Sequence, residues 1–273
     1  MKGLEFTILS HGFIENDLAW NVAMPRPAKL SDKAPTPVWI HVPSYSVLIK
    51  HPTEGYILYD TGSCPGDEKD RRPASMADYF PLLINRDEYL DSRLNELGIS
   101  VDDISTVVVS HMHWDHCGGL AFFGKKGHQR VITSEKDFSF GLVETHRSSV
   151  VDDSCVYFKD NYEIPGLDFE LITDDIELCP GIDLFLLEGH TPAVVGMVLH
   201  LESGNVIFPS DAVGSMLNYG PPARVPGIIY DTLGFHRAIK KLSYLEKKYD
   251  AKIIFPHDME QFKTLKLSPF FYK

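Results

Sequence analysis

Three histidines and an aspartate fall within six residues, His111-Met112-His113-Trp114-Asp115-His116, directly after the apolar run Val107-Val108-Val109-Ser110. Side chains of this kind leaving a strand have little use in a hydrophobic core. Buried imidazoles and carboxylates need partners, and a cation supplies one for all of them. Neutral imidazole nitrogen and carboxylate oxygen suit Zn²⁺, Mn²⁺ or Fe²⁺. Alternation along an extended or turning chain lets His111 and His113 address one centre, and Asp115 and His116 a second. The following Cys117-Gly118-Gly119 fits a tight turn with close backbone approach.

The same design recurs three times. Leu184-Phe185-Leu186-Leu187 runs to Gly189-His190-Thr191-Pro192, Val206-Ile207-Phe208 to Ser210-Asp211, and Ile253-Ile254-Phe255 to His257-Asp258. Each is a strand-like run whose end delivers a ligand-type side chain. Strand ends are rigid supports, and four of them at one rim of a sandwich would converge.

With 273 residues the chain can bury a sizeable core without disulfides or a structural metal, and one domain spanning 1–273 is expected. The formal charge of −12 argues against a nucleic-acid surface, which would show a basic stripe. The densest basic cluster, Lys240, Lys241, Lys247 and Lys248, reads as the solvated face of a helix. Cys64, Cys117, Cys155 and Cys179 are widely spaced and form no C-x-x-C pair, so neither a zinc knuckle nor a redox motif is expected. Residues 1–14 carry Glu5 and His11 within a short apolar stretch and lack a signal-peptide core. No apolar run approaches the ~18 residues of a membrane span. A cytoplasmic protein with a small-molecule substrate is the expectation, with no nucleic-acid or membrane partner; a homodimer is left open.

Short apolar runs between turn signals predict strands at 6–10, 46–50, 56–59, 106–110, 130–133, 169–172, 183–187, 194–201, 206–208 and 252–255. Helices are predicted over 86–97, closed by Gly98, and over 231–248 through Leu233, Ile239, Leu242 and Leu245. Strands with interspersed helices and hairpin-like pairs imply an α/β sandwich with mixed sheets rather than a barrel. The stretches 15–43 and 62–85 read as long irregular loops. Their apolar residues Trp20, Met24, Phe80, Leu82 and Leu83 either wall a pocket or pack on the body.

The run from His111 to Gly119 resembles the H-x-H-x-D-H signature of the metallo-β-lactamase superfamily, and His190, Asp211 and His257 follow in that superfamily's order. Asp60-Thr61-Gly62 is similar to an early D-T-G element of the same superfamily. The resemblance implies a four-layer αβ/βα sandwich with two metal ions at one edge, zinc in the first place, with iron or manganese as alternatives. It implies His111, His113 and His190 on one metal, Asp115, His116 and His257 on the other, and Asp211 bridging them. Asp60 becomes an outer group orienting a ligand histidine, the alternative being a plain turn aspartate.

Two divalent ions bring +4, and Asp115, Asp211 and a bridging hydroxide about −3, which leaves roughly +1 to make hydroxide near neutral pH and stabilise an oxyanion. Asp115 is the candidate proton shuttle. His113 stands where the superfamily's di-iron oxygen-reducing members carry glutamate, which favours hydrolysis over di-iron redox chemistry. His257 lies sixteen residues before Lys273, leaving no room for the helical domain that glyoxalase II enzymes append. Overall length, the ending His116-Cys117-Gly118-Gly119 and the tail His257-Asp258-Met259-Glu260-Gln261-Phe262 resemble the N-acyl homoserine lactonases. That likeness implies quorum-quenching chemistry: attack of a metal-bridging hydroxide on the lactone carbonyl, with opening of the ring.

One position departs. Many lactonases of that group carry a tyrosine three residues after the bridging aspartate, where this chain has Gly214. Tyr219 and Tyr230, on the loop after Asp211, are the candidates to reach the site instead. The loop 214–227, with Pro221, Pro222 and Pro226, is either a substrate-shaping lid or a plain connection. Other readings of the same centre are an ester, thioester or phosphodiester hydrolase and, from a different class, a non-catalytic metal-binding sensor.

Overall fold

The apolar runs pair into two sheets in the computed structural model, which describes residues 1–67, 72–125, 127–147 and 156–273. Strands β1 (Glu5–Asp17), β2 (Trp39–His51), β3 (Gly55–Tyr59), β4 (Leu82–Leu83), β5 (Ile104–Val108), β6 (Gln129–Ser134) and β7 (Leu167–Ile172) form one sheet in the order β4-β1-β2-β3-β5-β6-β7. Strands β8 (Ile176–Cys179), β9 (Ile182–Leu187), β10 (Val194–Leu201), β11 (Gly204–Phe208) and β12 (Ala251–Ile253) form the other, in the order β12-β11-β10-β9-β8. Both sheets are mixed. β3, β5, β6 and β7 run parallel to one another and β12 parallels β11, while the remaining pairs are antiparallel.

Period-two alternation sends Phe6, Ile8, Val47, Ile49 and Ile57 to the inner face of the first sheet, where they meet Leu184, Val195, Met197, Leu199 and Phe208 of the second. Full burial of each such side chain contributes about 1.5–3 kcal/mol. The opposite faces are covered by helices. Leu48, Leu58 and Val107 pack with Leu90 and Leu94 of the helix Leu90–Glu96. Val194, Val198 and Ile207 pack with Ala238, Leu242 and Leu245 of the helix Thr232–Tyr249. The result is the four-layer αβ/βα sandwich with mixed sheets.

Several local expectations need correction. The stretch 15–43 is not one loop. β1 and β2 extend into it from both sides and pair from Glu5↔Lys50 through to Asp17↔Trp39. A register shift between Ser10 and Phe13 interrupts the pairing and hides the alternation from the sequence. The helix Leu18–Asn21 follows, capped by Asp17, whose carboxylate accepts the Ala19 N–H at 2.9 Å. The stretch 62–85 carries the helix Ala74–Tyr79 and strand β4; its residues 68–71, and Cys155 elsewhere, lie outside the described residues. The helix predicted over 86–97 is a 3-10 turn Arg86–Glu88 followed by Leu90–Glu96, with Gly98 in the left-handed conformation that ends it. In the C-terminal helix Lys240, Lys247 and Lys248 are exposed. Among the described residues no helix is long and apolar enough to cross a membrane.

Candidate metal centre

Parallel strands place their C-terminal ends at the same edge, so β3 and β5 deliver Asp60 and the His111 motif side by side. The chain leaves β3 through a sharp turn, with Asp60 at φ 59 and Gly62 at φ 68. Thr61 seals the two segments together, its N–H and its hydroxyl each donating to the His116 carbonyl at 2.8 Å. A side chain at Gly119 would put its Cβ 2.2 Å from the Thr61 oxygen, which is why this approach requires glycine. His113 caps the short helix Trp114–Cys117, and that turn sends Asp115 and His116 to the same edge as His111.

His190, Asp211 and His257 arrive there from the ends of β9, β11 and β12. Donor atoms of His111, His113 and His190 lie within 4.8 Å of one another, as do those of Asp115, His116 and His257, and those of His111, His116 and Asp211. The Asp211 carboxylate spans the two groups. Its Oδ1 is 3.2 Å from His116 Nε2 and 3.0 Å from His257 Nε2, while Oδ2 is 3.3 Å from His190 Nε2. Asp115 Oδ2 is 3.5 Å from His116 Nε2 and 3.9 Å from His257 Nε2.

Outer contacts fix which nitrogen faces inward for His111, His116, His190 and His257. His190 Nδ1 donates to the Ile228 carbonyl at 3.2 Å and His257 Nδ1 to the Pro43 carbonyl at 2.9 Å. His116 Nδ1 sits 2.9 Å from Asp60 Oδ2 and His111 Nδ1 3.0 Å from Ser110 Oγ. Asp60 is in turn held by the Ser110 N–H at 2.7 Å and the Ser110 hydroxyl at 2.9 Å. The inward atoms His111 Nε2, His116 Nε2 and Asp211 Oδ1 are buried without a properly aimed hydrogen bond. Buried polar atoms left this way are costly, and a bound cation is the partner their chemistry calls for. The donor set therefore fits divalent ions.

The protons divide along the same line. Burial, with neighbouring imidazoles adding to it, holds His111 and His113 well below the usual histidine range, and burial lowers His190 too. Burial also acts on His116 and His257, but Asp211, with Asp115 behind it, outweighs it and raises both. For Asp211, burial is outweighed by His257, His116 and His190, which keep the carboxylate ionised. In the metal-free protein His111, His113 and His190 are thus biased towards the neutral imidazole, and His116 and His257 towards the protonated one. Metal loading near pH 7 is expected to expel ligand protons from the latter pair, beside any proton that a bound water gives up in becoming hydroxide. The release fades as pH rises through their raised values, and apparent metal affinity climbs over the same range. Calorimetric titration in buffers of different ionisation enthalpy reads this directly; a proton count of zero at pH 7 would contradict it.

A cavity open to solvent has His113, Asp115, His190, Asp211 and His257 on its floor. Of the sequence candidates for its wall, Trp20 and Phe80 line it, their rings 5.1 Å apart. Met24, Leu82, Leu83, Tyr219 and Tyr230 do not. Met24 is 78% exposed. Tyr219 turns its hydroxyl to Glu246 and its ring to Phe255, and Tyr230, 57% exposed, lays its ring against Phe140. The loop 214–227 contributes Gly214, Asn218 and Pro226 to the lining. Sequence reading missed Ile14, Asn16 and Val42, which the longer β1–β2 ribbon brings in, although Ile14 and Asn16 are spaced by two as one strand face requires. It also missed Asp137, buried to 0% exposure, which accepts the Met112 N–H at 2.7 Å and the Tyr157 hydroxyl at 2.8 Å. Burial pushes that carboxyl up to about 6. It pins the backbone between His111 and His113, and no local motif marks it.

Comparison with known proteins agrees with this architecture. The family model of the metallo-beta-lactamase superfamily matches residues 39–256. The chain is 34% identical over 238 residues to the N-acyl homoserine lactonase AiiB of Agrobacterium fabrum, covering 83% of each chain. It is 27% identical over 234 residues to the N-acyl homoserine lactonase AiiA of Bacillus thuringiensis subsp. kurstaki, covering 84% of this chain and 87% of the other. A solved structure of an N-acyl homoserine lactone hydrolase, with the product N-hexanoyl-L-homoserine bound at its catalytic metal center, superposes with TM-score 0.80 at 23% identity over 98% of both chains. A probable metal-dependent hydrolase from Staphylococcus aureus superposes with TM-score 0.70 at 17% identity over 93% of this chain and 89% of the other. The two-sheet fold, the ligand cluster at its edge and the match across most of the sequence agree: the protein belongs to the metallo-beta-lactamase superfamily.

Proposed function

We propose that the protein is a dinuclear metal-dependent hydrolase that opens a lactone ring, with N-acyl homoserine lactones as the first substrate class. The observation that carries this reading is a cluster of seven ligand-type side chains, five of them on the floor of a largely apolar cavity, in a chain whose relatives are N-acyl homoserine lactonases. His111, His113 and His190 would hold one ion, Asp115, His116 and His257 the second, and Asp211 both. The all-nitrogen-and-oxygen donor set suits zinc, and iron or manganese as well. When bound, two divalent ions supply a hydroxide near neutral pH and a Lewis acid for the carbonyl oxygen.

The chain's own residues do the rest. Asp115, at the cavity surface beside His116 and His257, carries the proton from the nucleophile to the alkoxide oxygen that leaves the opened ring. Trp20, Phe80, Ile14, Val42 and Trp114 present apolar surface that fits an acyl chain and keeps bulk water away from it. Gly214 leaves its stretch of wall bare. Its backbone is ordinary right-handed helical (φ −66), and an added Cβ would meet only Asn218 Oδ1, at 3.6 Å. With Tyr219 and Tyr230 turned elsewhere, the wall carries the carboxamides of Asn16, Asn21 and Asn218.

Proton release by the metal-replete protein on a panel of lactones, carboxylic esters, thioesters and phosphodiesters tests the reading. Lactones are expected to be opened with the highest kcat/KM, and shortening or lengthening the acyl chain is expected to change KM. Preference for an ester, thioester or phosphodiester would replace the substrate class, and no turnover of any of them would remove the hydrolase reading.

A further inference from the structure

Asparagine side chains interrupt the apolar face of the cavity wall. Beyond the bulge in β1 the side chains facing the cavity are Ile14 and then Asn16, so a carboxamide stands where alternation would place another hydrophobic residue. Asn16 is 5% exposed, and its side-chain oxygen accepts from the Asn21 side-chain amide at 2.6 Å. No other side-chain hydrogen bond is found for either amide among the described residues. Whichever way the two amides are turned, a pair joined by one bond keeps a further N–H donor on one member and a free carbonyl oxygen on the other. Asn218, the third asparagine of the wall, is used up by the fold. Its amide donates to the Asn21 carbonyl at 2.8 Å and to the Arg224 carbonyl at 3.0 Å, while its oxygen accepts from Ser215. By gripping the Asn21 backbone, Asn218 also fixes where the Asn21 side chain points.

We propose that Asn16 and Asn21 form a specificity-determining pair that recognises a secondary amide on the substrate, its N–H meeting the free oxygen and its C=O the free N–H. The inference rests on the lactonase reading and assigns to Asn16 and Asn21 the recognition of the acylamino group of that substrate class. An amide presents one donor and one acceptor, which can meet the free oxygen and one of the three N–H groups that the pair has left over. An alkyl chain presents neither and would leave both members unpaired in a largely apolar cavity, the situation in which a binding site discriminates most strongly. Trp20 lies between Asn16 and Asn21 in sequence and lines the same cavity, so amide recognition and acyl-chain packing share one short segment.

The test compares N-hexanoyl homoserine lactone with γ-decalactone, which has the same ring size and an apolar chain but no amide. The metal-replete wild-type protein is set against Asn16→Leu and Asn21→Ala. Wild type is expected to favour the amide-bearing lactone by at least about tenfold in kcat/KM. Each substitution is expected to collapse that ratio towards one, chiefly through a higher KM for the N-hexanoyl substrate. Asn21→Gln, which keeps the carboxamide, is expected to restore part of it. Asn21→Ala guards against misfolding of the more buried Asn16 variant, since Asn21 lies on a short, partly exposed helix. Opening of both lactones with no wild-type preference, or a ratio unmoved by either substitution, would overturn the inference while leaving the lactonase reading in place. Failure of the wild type to open either lactone would overturn both.

Discussion

Asp211→Asn is expected to lose metal from the centre and to cut turnover by more than about 10²-fold. Outer-sphere partners of metal ligands already cost roughly 10–100-fold when removed, and Asp211 faces both ligand groups directly. Asparagine keeps the size of the side chain but removes the charge that offsets His116, His190 and His257, whose effect on the carboxylate is strong enough to override its burial. It also replaces one oxygen by an N–H₂ that cannot bind a cation. Metal content after dialysis, read beside activity, checks this. A variant with full metal content and wild-type turnover would remove Asp211 from the bridging role.

The second large effect is expected one layer out, at Asp60→Asn. Asparagine tolerates the left-handed backbone that this position requires, so the turn after β3 should survive. The chemistry does not survive unchanged. Asp60 accepts at once from the Ser110 N–H, the Ser110 hydroxyl and His116 Nδ1. A carboxamide has one acceptor oxygen, so its N–H₂ is brought against either Ser110 or His116. If it faces His116, the ring proton moves to Nε2, the atom that should bind the ion. Metal affinity is expected to fall about 10–100-fold at the Asp115–His116–His257 group and much less at His111–His113–His190. Two stepwise affinities of which only one moves would bear this out; equal losses at both groups would point to general unfolding of the edge.

These contrasts explain what the sequence makes legible. A metal ligand must be one of a few residue types and must be held rigidly, so His111, His113, Asp115, His116, His190, Asp211 and His257 stand out at strand ends, and the structure brings all seven together. Asp60 is readable for the same reason, as a carboxylate closing a strand. The cavity wall obeys no such rule. Any apolar residue can line it, and which loop residue turns inward depends on packing: Trp20 faces the cavity while Met24, four residues on, faces solvent, and Tyr219 is drawn away by Glu246. The extent of β1 and β2 was hidden for a different reason, since the register shift between Ser10 and Phe13 breaks the two-residue period by which strands are recognised. The helix Glu135–Arg147 escaped notice because its inner face is not simply apolar. It buries Asp137 and Gly141 and leaves Leu142 and Val143 exposed. A Cβ at Gly141 would stand 1.9 Å from the Tyr162 hydroxyl, so that residue is chosen by a neighbour far away in sequence.

The proposed function makes this edge of the sandwich a two-ion centre that opens lactones. Its most direct test is to strip the protein of metal, return zinc in measured equivalents, and follow opening of N-hexanoyl homoserine lactone alongside bound metal. Negligible activity is expected without metal, and full activity only as the second equivalent binds. Full activity at one equivalent, or a protein holding two ions per chain that leaves the ring closed, would contradict it.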